Sequence, residues 1–322
     1  MPSRRAALAA PLLALPLAPS GAPRAQGAAT QLVIPYAPGG ASDVVGRILT
    51  EGLAQRLGGS FVMDHKPGAS TTIAARHVAR ARPDGQTLLL GTIVTFTMAP
   101  LALRTPGYDP VADFTHLTQL CDTEALLVAN PRWESLAQLF AAARARPGQL
   151  SYASWGIGTT AHLPMVELTA RAGVDMLHVP FNGAPPALTE VIAGRVDCMI
   201  ALVAAARGHV EAGRVRALGA VTVERTAAFP DLPTVAEQGF PGFGGGAWYS
   251  LQAPPGLPEP IKARITAAAV ETFQAPATVA FMRGQGLAPA AAFGEAALVA
   301  RIRRELEQHR ELMGRAGIAQ QG

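Results

Sequence analysis

From Thr30 onward, short apolar runs alternate with stretches whose apolar residues recur every three or four positions, the pattern of strands followed by amphipathic helices. Gln31 to Ile34 predicts a strand. Val45, Leu49, Leu53 and Leu57 then form a stripe along one side of a helix that Gly58-Gly59 ends. Phe61-Val62-Met63 predicts a second strand, Thr71 to Ala81 a helix stopped at Arg82-Pro83-Asp84-Gly85, and Thr87 to Leu90 a third strand. This βαβαβ order implies a parallel sheet covered by helices.

A second α/β unit follows. Leu136 to Arg146 predicts a helix, Leu150 to Ala153 a strand, His162 to Ala172 a helix and Met176 to Val179 a strand. Pro186 to Ala193 predicts a helix with Gly194 as its stop, and Val196 to Ile200 and Val215 to Val221 add strands. The apolar segment Phe114 to Val128 predicts one long strand crossing between the units. A return crossing near Trp248 to Gln252 lets the helices expected over Pro260 to Phe273 and Glu295 to Met313 rejoin the first unit. The expected division is therefore 30–122 plus 245–322 for the first lobe and 123–244 for the second, with a cleft at the carboxyl ends of their strands.

The 322 residues suffice for two cores, and 16% charged against 49% hydrophobic residues excludes a disordered chain. The net charge of +4 comes from scattered arginines with no basic block, so no nucleic-acid partner is expected. Residues 1–29 read as an export signal. Arg4 and Arg5 lead an apolar Ala6 to Ala18 too short to span a bilayer, and small residues near Ala22, Ala25 or Ala29 offer cleavage sites. Ser3-Arg4-Arg5 leaves twin-arginine export open beside general secretion. Cys121 and Cys198 lie in apolar strand-like settings and are expected to be unpaired, although an oxidising compartment permits a bridge.

Four strand-to-helix turns carry the candidate chemistry. In the first, Tyr36 to Asp43, Pro38-Gly39-Gly40 turns the chain. Ser42 is placed to cap the helix through its hydroxyl, and Asp43 complements the helix dipole. Such a turn leaves N–H groups free to hold an anion, although an ordinary capped βα turn looks the same. The second, Lys66 to Thr72, offers Ser70 and Thr71; the third runs from Ser154 to Thr160; the fourth, Pro180 to Pro186, contains Phe181, Asn182 and Gly183. Thr92 adds a hydroxyl after the third strand. Turns rich in Gly, Ser and Thr in both units suit a carboxylate, which needs many neutral donors where water is excluded.

Catalytic and cofactor signals are missing. Gly39-Gly40 and Gly156-Ile157-Gly158 lack the dinucleotide spacing, and no Gly-Lys-Ser/Thr marks a P-loop. The seven histidines show no metal-ligand spacing, so neither cofactor nor metal is expected. His162 at a helix start fits a loop-ordering role, and His178 a structural one. Asp197 hydrogen-bonds either a ligand-side loop or its local backbone. Trp155 and Trp248 are candidate pocket walls, Trp248 equally a candidate for packing between lobes.

Several stretches, in this order, resemble the extracytoplasmic receptors of the tripartite tricarboxylate transporters, the Bug or TctC-type family. They are IPYAPGGASDVVGRIL, HKPGASTTIAARHVARARPDGQTLLLGT, YASWGIGTTAHL, HVPFNGAPPALTEVIAGRVDCM, FPDLPTVAEQGFPGF and AWYSLQAPPG. The resemblance implies an α/β, two-lobed periplasmic-binding-protein fold, type II-like, that closes over a small organic carboxylate (a di- or tricarboxylate, amino acid or aromatic acid). It further implies a monomer that delivers this solute to membrane permease subunits. The implied contacts are Tyr36, Gly39, Gly40, Ser42, Asp43, Ser70, Thr71 and Thr92 in the first lobe. In the second they are Ser154, Gly158, Thr159 and His162, with Phe181, Asn182, Gly183 and Asp197.

The chain departs from the family pattern in places. It has Gly-Ala-Ser-Thr where Gly-Ala-Gly-Gly is common, Trp155 for a small residue and Asn182 for a frequent lysine. Ala201-Leu202-Val203-Ala204 replaces the usual Asn-Leu-Pro. Two other readings stand beside transport: a receptor of the same fold presenting ligand to a membrane kinase, and an exported hydrolase using Ser154 and His162.

Overall fold

The computed structural model describes residues 29–315 apart from Val223 and Gly245; the expected export signal, Ala29 excepted, lies outside the described residues. The first half begins with β1 (Thr30–Ile34), α1 (Ala41–Leu57), β2 (Phe61–His65), α2 (Thr72–Ala79) and β3 (Thr87–Thr92). A π-helical turn over Val94–Met98 leads into α3 (Ala99–Ala102), then β4 (Thr115–Thr123) and β5 (Ala125–Ala129). Next come α4 (Leu136–Ala145), β6 (Ser151–Ser154), α5 (Leu163–Ala172), β7 (Leu177–Pro180), α6 (Ala184–Ile192), β8 (Cys198–Leu202), α7 (Val203–Glu211) and β9 (Arg216–Ala220). The chain returns through β10 (Ala247–Ala253), α8 (Glu259–Gln274), α9 (Pro276–Gly284), β11 (Leu287–Pro289) and α10 (Glu295–Arg315).

These strands build two sheets, ordered β11-β4-β10-β3-β1-β2 and β7-β6-β8-β5-β9. Within them β2-β1-β3 and β7-β6-β8 are parallel, as the alternating pattern predicts, whereas β10 and β5 run antiparallel to both neighbours. The expected single strand over Phe114 to Val128 is instead two strands in different sheets, parted at Glu124. The Glu124 N–H donates to the Gly286 carbonyl (2.8 Å), and its own carbonyl accepts from the Val203 N–H (2.9 Å). The partners belong to different halves, Gly286 leading into β11 of one sheet and Val203 following β8 of the other, so the run changes sheet there.

Each sheet is covered by helices whose apolar stripes face it. On α1, Val45, Leu49 and Leu53 are fully buried, and Gly46 lets the helix lie close to Leu32 and Ile34 of β1. Phe96 and Phe114 meet edge to face, with centroids 5.2 Å apart, and fill the first core under β3. Cys121 and Cys198 are buried and unpaired, one in each sheet.

The expected helix over Thr71 to Ala81 begins one residue later, because Ala69, Ser70 and Thr71 all take positive φ (45°, 48° and 77°). Left-handed backbone at three successive non-glycine residues is costly, and Ser70 at its centre bonds across the cleft as described below.

The packing of α1 on α8 tolerates no added atom. A Cβ on Gly52 would lie 2.2 Å from Cγ2 of the buried Thr272. Gly52→Ala is therefore expected to destabilise the protein by about 1–3 kcal/mol despite alanine's better helix propensity. In urea unfolding, Thr272→Ala in the same chain should recover part of that loss. An unchanged midpoint for Gly52→Ala would contradict this contact.

Candidate functional site

The carboxyl ends of β1 and β3 in one sheet and of β6 and β8 in the other face each other across a narrow cleft, the usual place for a ligand in open parallel sheets. Of the residues expected from sequence, Tyr36, Gly40, Ser42 and Thr92 line it. They are joined by Tyr249, which strand pairing sets opposite Thr92. The second half contributes Trp155, Thr160, Ala184, Pro185, Leu202 and Ala205. Among the described residues, no lining side chain carries a charge.

The first wall is built on the start of α1. Gly40 is the residue before the helix, and no side chain caps it. The expected cap by Ser42 is not formed: the residue lies inside the first turn, and its Oγ is 3.2 Å from the Tyr249 hydroxyl. Without a cap, the Ala41 and Ser42 N–H groups at this helix start have no intrahelical acceptor. The positive end of a 17-residue helix therefore borders the cavity.

Asp43 points the other way. It accepts from the Gly39 N–H (2.6 Å) and lies 3.6 Å from Nε2 of His65, whose Nδ1 donates to the Tyr36 carbonyl (2.9 Å). Asp43 and His65, the latter not anticipated from sequence, thus fold the loop that presents Tyr36 and Gly40. Burial raises the hydroxyl pKa of both Tyr36 and Tyr249 beyond the ordinary phenol value, against smaller opposing effects of hydrogen bonds with Thr92 and Ser42. Both stay neutral.

The second wall is held from behind. The Ser154 hydroxyl donates to the Gly156 carbonyl (3.0 Å), accepts from the Gly156 N–H (3.1 Å) and lies 2.7 Å from Nε2 of His178. Thr159 Oγ1 donates to the same Gly156 carbonyl (2.7 Å), and Nδ1 of His162 accepts from the Gly158 N–H (3.1 Å). The two imidazoles lie 4.1 Å apart, centroid to centroid, with His178 stacked on Tyr152. Ser154, Gly158, Thr159 and His162 therefore shape the loop that carries Trp155 and Thr160, and none of the four lines the cavity. Ser154 is wholly buried, and its imidazole partner is His178 rather than His162, which does not present a nucleophile to a substrate.

The two walls touch. Ser70 Oγ donates to the Ile157 carbonyl (2.8 Å). A Cβ on Gly158, whose φ is +72°, would lie 2.7 Å from Cβ of Ala102, and one on Gly183 would lie 3.3 Å from Cβ of Ala37. Thr71 is buried beside Ser70, and its hydroxyl has no partner among the described residues. Phe181 is half-buried and joined by its N–H to the Ser154 carbonyl (2.8 Å), and Asn182 is exposed.

Asp197 stands apart. Its carboxylate accepts from Trp133 Nε1 (3.0 Å), the Arg132 guanidinium (2.5 Å) and the Ser151 N–H (2.8 Å). It precedes β8, whose far end, Leu202, borders the cavity about 16 Å away at strand rise. Its role is to order local backbone. Trp248 borders the cavity and is fully buried, with Nε1 donating to Glu305 of α10 in its own half (2.7 Å).

Thr160, Pro185 and Tyr249 were not anticipated. Proximity of Thr160 to the third turn was visible in sequence, but the place of Tyr249 depends on a strand pairing 157 positions from Thr92.

Two sheets joined by strand crossings, closing walls of neutral donors around a small space, define a solute-binding protein. The chain belongs to the tripartite tricarboxylate transporter receptor family, whose model matches residues 45–316. It is 37% identical over 251 residues to a UPF0065 protein in the tcbD-tcbE intergenic region of Pseudomonas sp. (strain P51), covering 76% of this chain and 74% of that one. Among solved structures it is similar to the periplasmic binding protein BugD (TM-score 0.87, 30% identity, 91% of this chain and 98% of that one). It is likewise similar to R. palustris Rpa4515 with adipate (TM-score 0.88, 31% identity, 91% and 98%). The chain thus has the two-lobed α/β fold expected from sequence, shared with a protein described as a periplasmic binding protein.

The paired histidines give the second lobe a pH dependence. Burial lowers both imidazoles to about 4, and the neighbouring His162 further disfavours charge on His178. The unfolded chain protonates near 6.5, so it binds more protons than the native state as pH falls from about 6.5 towards 4, and stability is lost over that window. Thermal or urea unfolding between pH 7.5 and 4.5 should show about 1–3 kcal/mol more loss for the native sequence than for His162→Gln/His178→Gln. Equal slopes would contradict two neutral buried imidazoles.

Proposed function

We propose that this chain is a periplasmic receptor that captures a small organic carboxylate by closure of its lobes and delivers it to the permease of a tripartite transporter. In this reading residues 30–122 plus 245–322 form one jaw and 123–244 the other, and export depends on residues 1–29. The observation that carries it is the cavity itself. An uncapped helix start and the hydroxyls of Tyr36, Ser42, Thr92 and Tyr249 converge on the cleft, with no charged side chain among the described residues that line it.

Such a site favours an anion through aligned dipoles rather than an ion pair. It therefore releases its solute when the jaws part and water replaces those donors. The Ser70 hydrogen bond to Ile157 exists only while the walls are together, so it belongs to the closed form, which ligand binding favours through its extra contacts. BugD is described as a periplasmic binding protein, and Rpa4515 was solved with adipate. Both support the compartment and the ligand chemistry.

Calorimetric titration of ligand-stripped protein against carboxylates and their neutral primary amides tests this. Each bound carboxylate should exceed its amide in affinity by tenfold or more, since hydrogen bonds to charged groups are worth about 1.5–3 kcal/mol each. Ser42→Ala should weaken carboxylate binding by a similar factor, with a modest fall in melting temperature because the buried Tyr249 hydroxyl loses its partner. Equal affinity for acid and amide would overturn the proposal.

A further inference from the structure

The two walls of the cavity differ in polarity. All four hydroxyls of Tyr36, Ser42, Thr92 and Tyr249 come from the first jaw, as does the free start of α1. Across the cleft, the second jaw presents Trp155, Ala184, Pro185, Leu202 and Ala205, with Thr160 as its one hydroxyl on the lining.

The second jaw also has a helix start at the cavity, that of α6. Its first three residues are Ala184, Pro185 and Pro186, and proline has no N–H to donate. A helix start that would otherwise offer three free amides offers one. The Pro185 ring fills the gap: its Cγ and Cδ lie 3.6–3.7 Å from where Cβ atoms on Gly39 and Gly40 would stand. Trp155 lines the same cleft and is itself buried.

A dicarboxylate bound here would set one carboxylate among donors and the other against a prolyl ring and an indole. An ion held there, with no counter-ion and at most the Thr160 hydroxyl, the Ala184 N–H and the indole N–H to meet it, is disfavoured against one on the first jaw. An apolar body, in contrast, gains from leaving water at that surface. We infer that the ligand is a monocarboxylate with a compact apolar body, its carboxylate on the Gly40–Ser42 turn and Tyr249, its body against Trp155 and Pro185. This rests on the receptor reading above and narrows it.

Matched probes separate the two. Hexanoate against adipate and benzoate against terephthalate, with hexanamide and benzamide as neutral controls, are titrated into ligand-stripped protein. Each monoacid is expected to bind at least tenfold tighter than its diacid and than its amide. Diacids binding as tightly as monoacids would overturn this inference and leave the receptor reading standing. Amides equal to acids, or no binding by any acid, would overturn both.

Two variants place the effect. Pro185→Ala restores an N–H to the start of α6 and should shift the diacid-to-monoacid affinity ratio towards the diacid by fivefold or more. Trp155→Ala should weaken hexanoate and benzoate by fivefold or more. An unchanged ratio for the first, or unchanged monoacid affinity for the second, in variants whose melting temperatures match the native protein, would remove the second jaw as the source of selectivity.

Discussion

The structure turns on one residue, Glu124, where the chain passes from one sheet to the other. Its N–H is bonded to Gly286 beside β11 and its carbonyl to Val203 at the start of α7, and its carboxylate accepts from the Thr226 hydroxyl. The approach is close enough that Gly286, at φ +64°, could not carry a side chain: a Cβ there would lie 2.4 Å from Cβ of Val203. Both α1 and the Ser154–Thr160 loop reach the same space because this junction fixes where one sheet ends and the next begins. A hydrogen bond from Arg207 on α7 to the Gly284 carbonyl adds a second tie between the halves.

A carboxylate taken from water into an enclosed space needs compensation. A buried salt bridge supplies it strongly but leaves an unpaired cation behind when the solute leaves. Neutral donors avoid that residue of charge. Here burial keeps Tyr36 and Tyr249 un-ionised, and the helix start adds a fixed partial positive charge of about half a unit. Asp43 and His65 hold the loop from outside the lining. On the other jaw His162 and His178 do the equivalent work as neutral groups, so both walls are shaped by polar side chains that do not themselves border the space.

Much of the fold was legible in sequence. Alternation of apolar runs with helical stripes located the strands of both parallel cores, and the Gly-rich turns located both walls. The limits have physical causes. Phe114 to Val128 reads as one strand because its buried residues, polar ones included, run through both β4 and β5, and Asp122-Thr123-Glu124 is too short an interruption to signal a change of sheet. Ser42 looked like a helix cap because its residue type suits one, but the helix starts earlier and the hydroxyl faces Tyr249. Asp197 lies close in sequence to β8, whose other end reaches the cleft, and sequence proximity does not say which end of a strand a side chain serves. Pro185 lay within the fourth turn read from sequence, whereas Tyr249 enters the site through a long-range strand pairing that no local pattern records.

Small-angle scattering of the ligand-stripped protein, before and after saturation with a carboxylate whose binding has been established by calorimetry, tests lobe closure most directly. The radius of gyration should fall on saturation, and substitution of Ser70 by alanine should leave the stripped form unchanged while reducing that fall. A radius of gyration that stays constant through full saturation would contradict a clamp that closes on its solute.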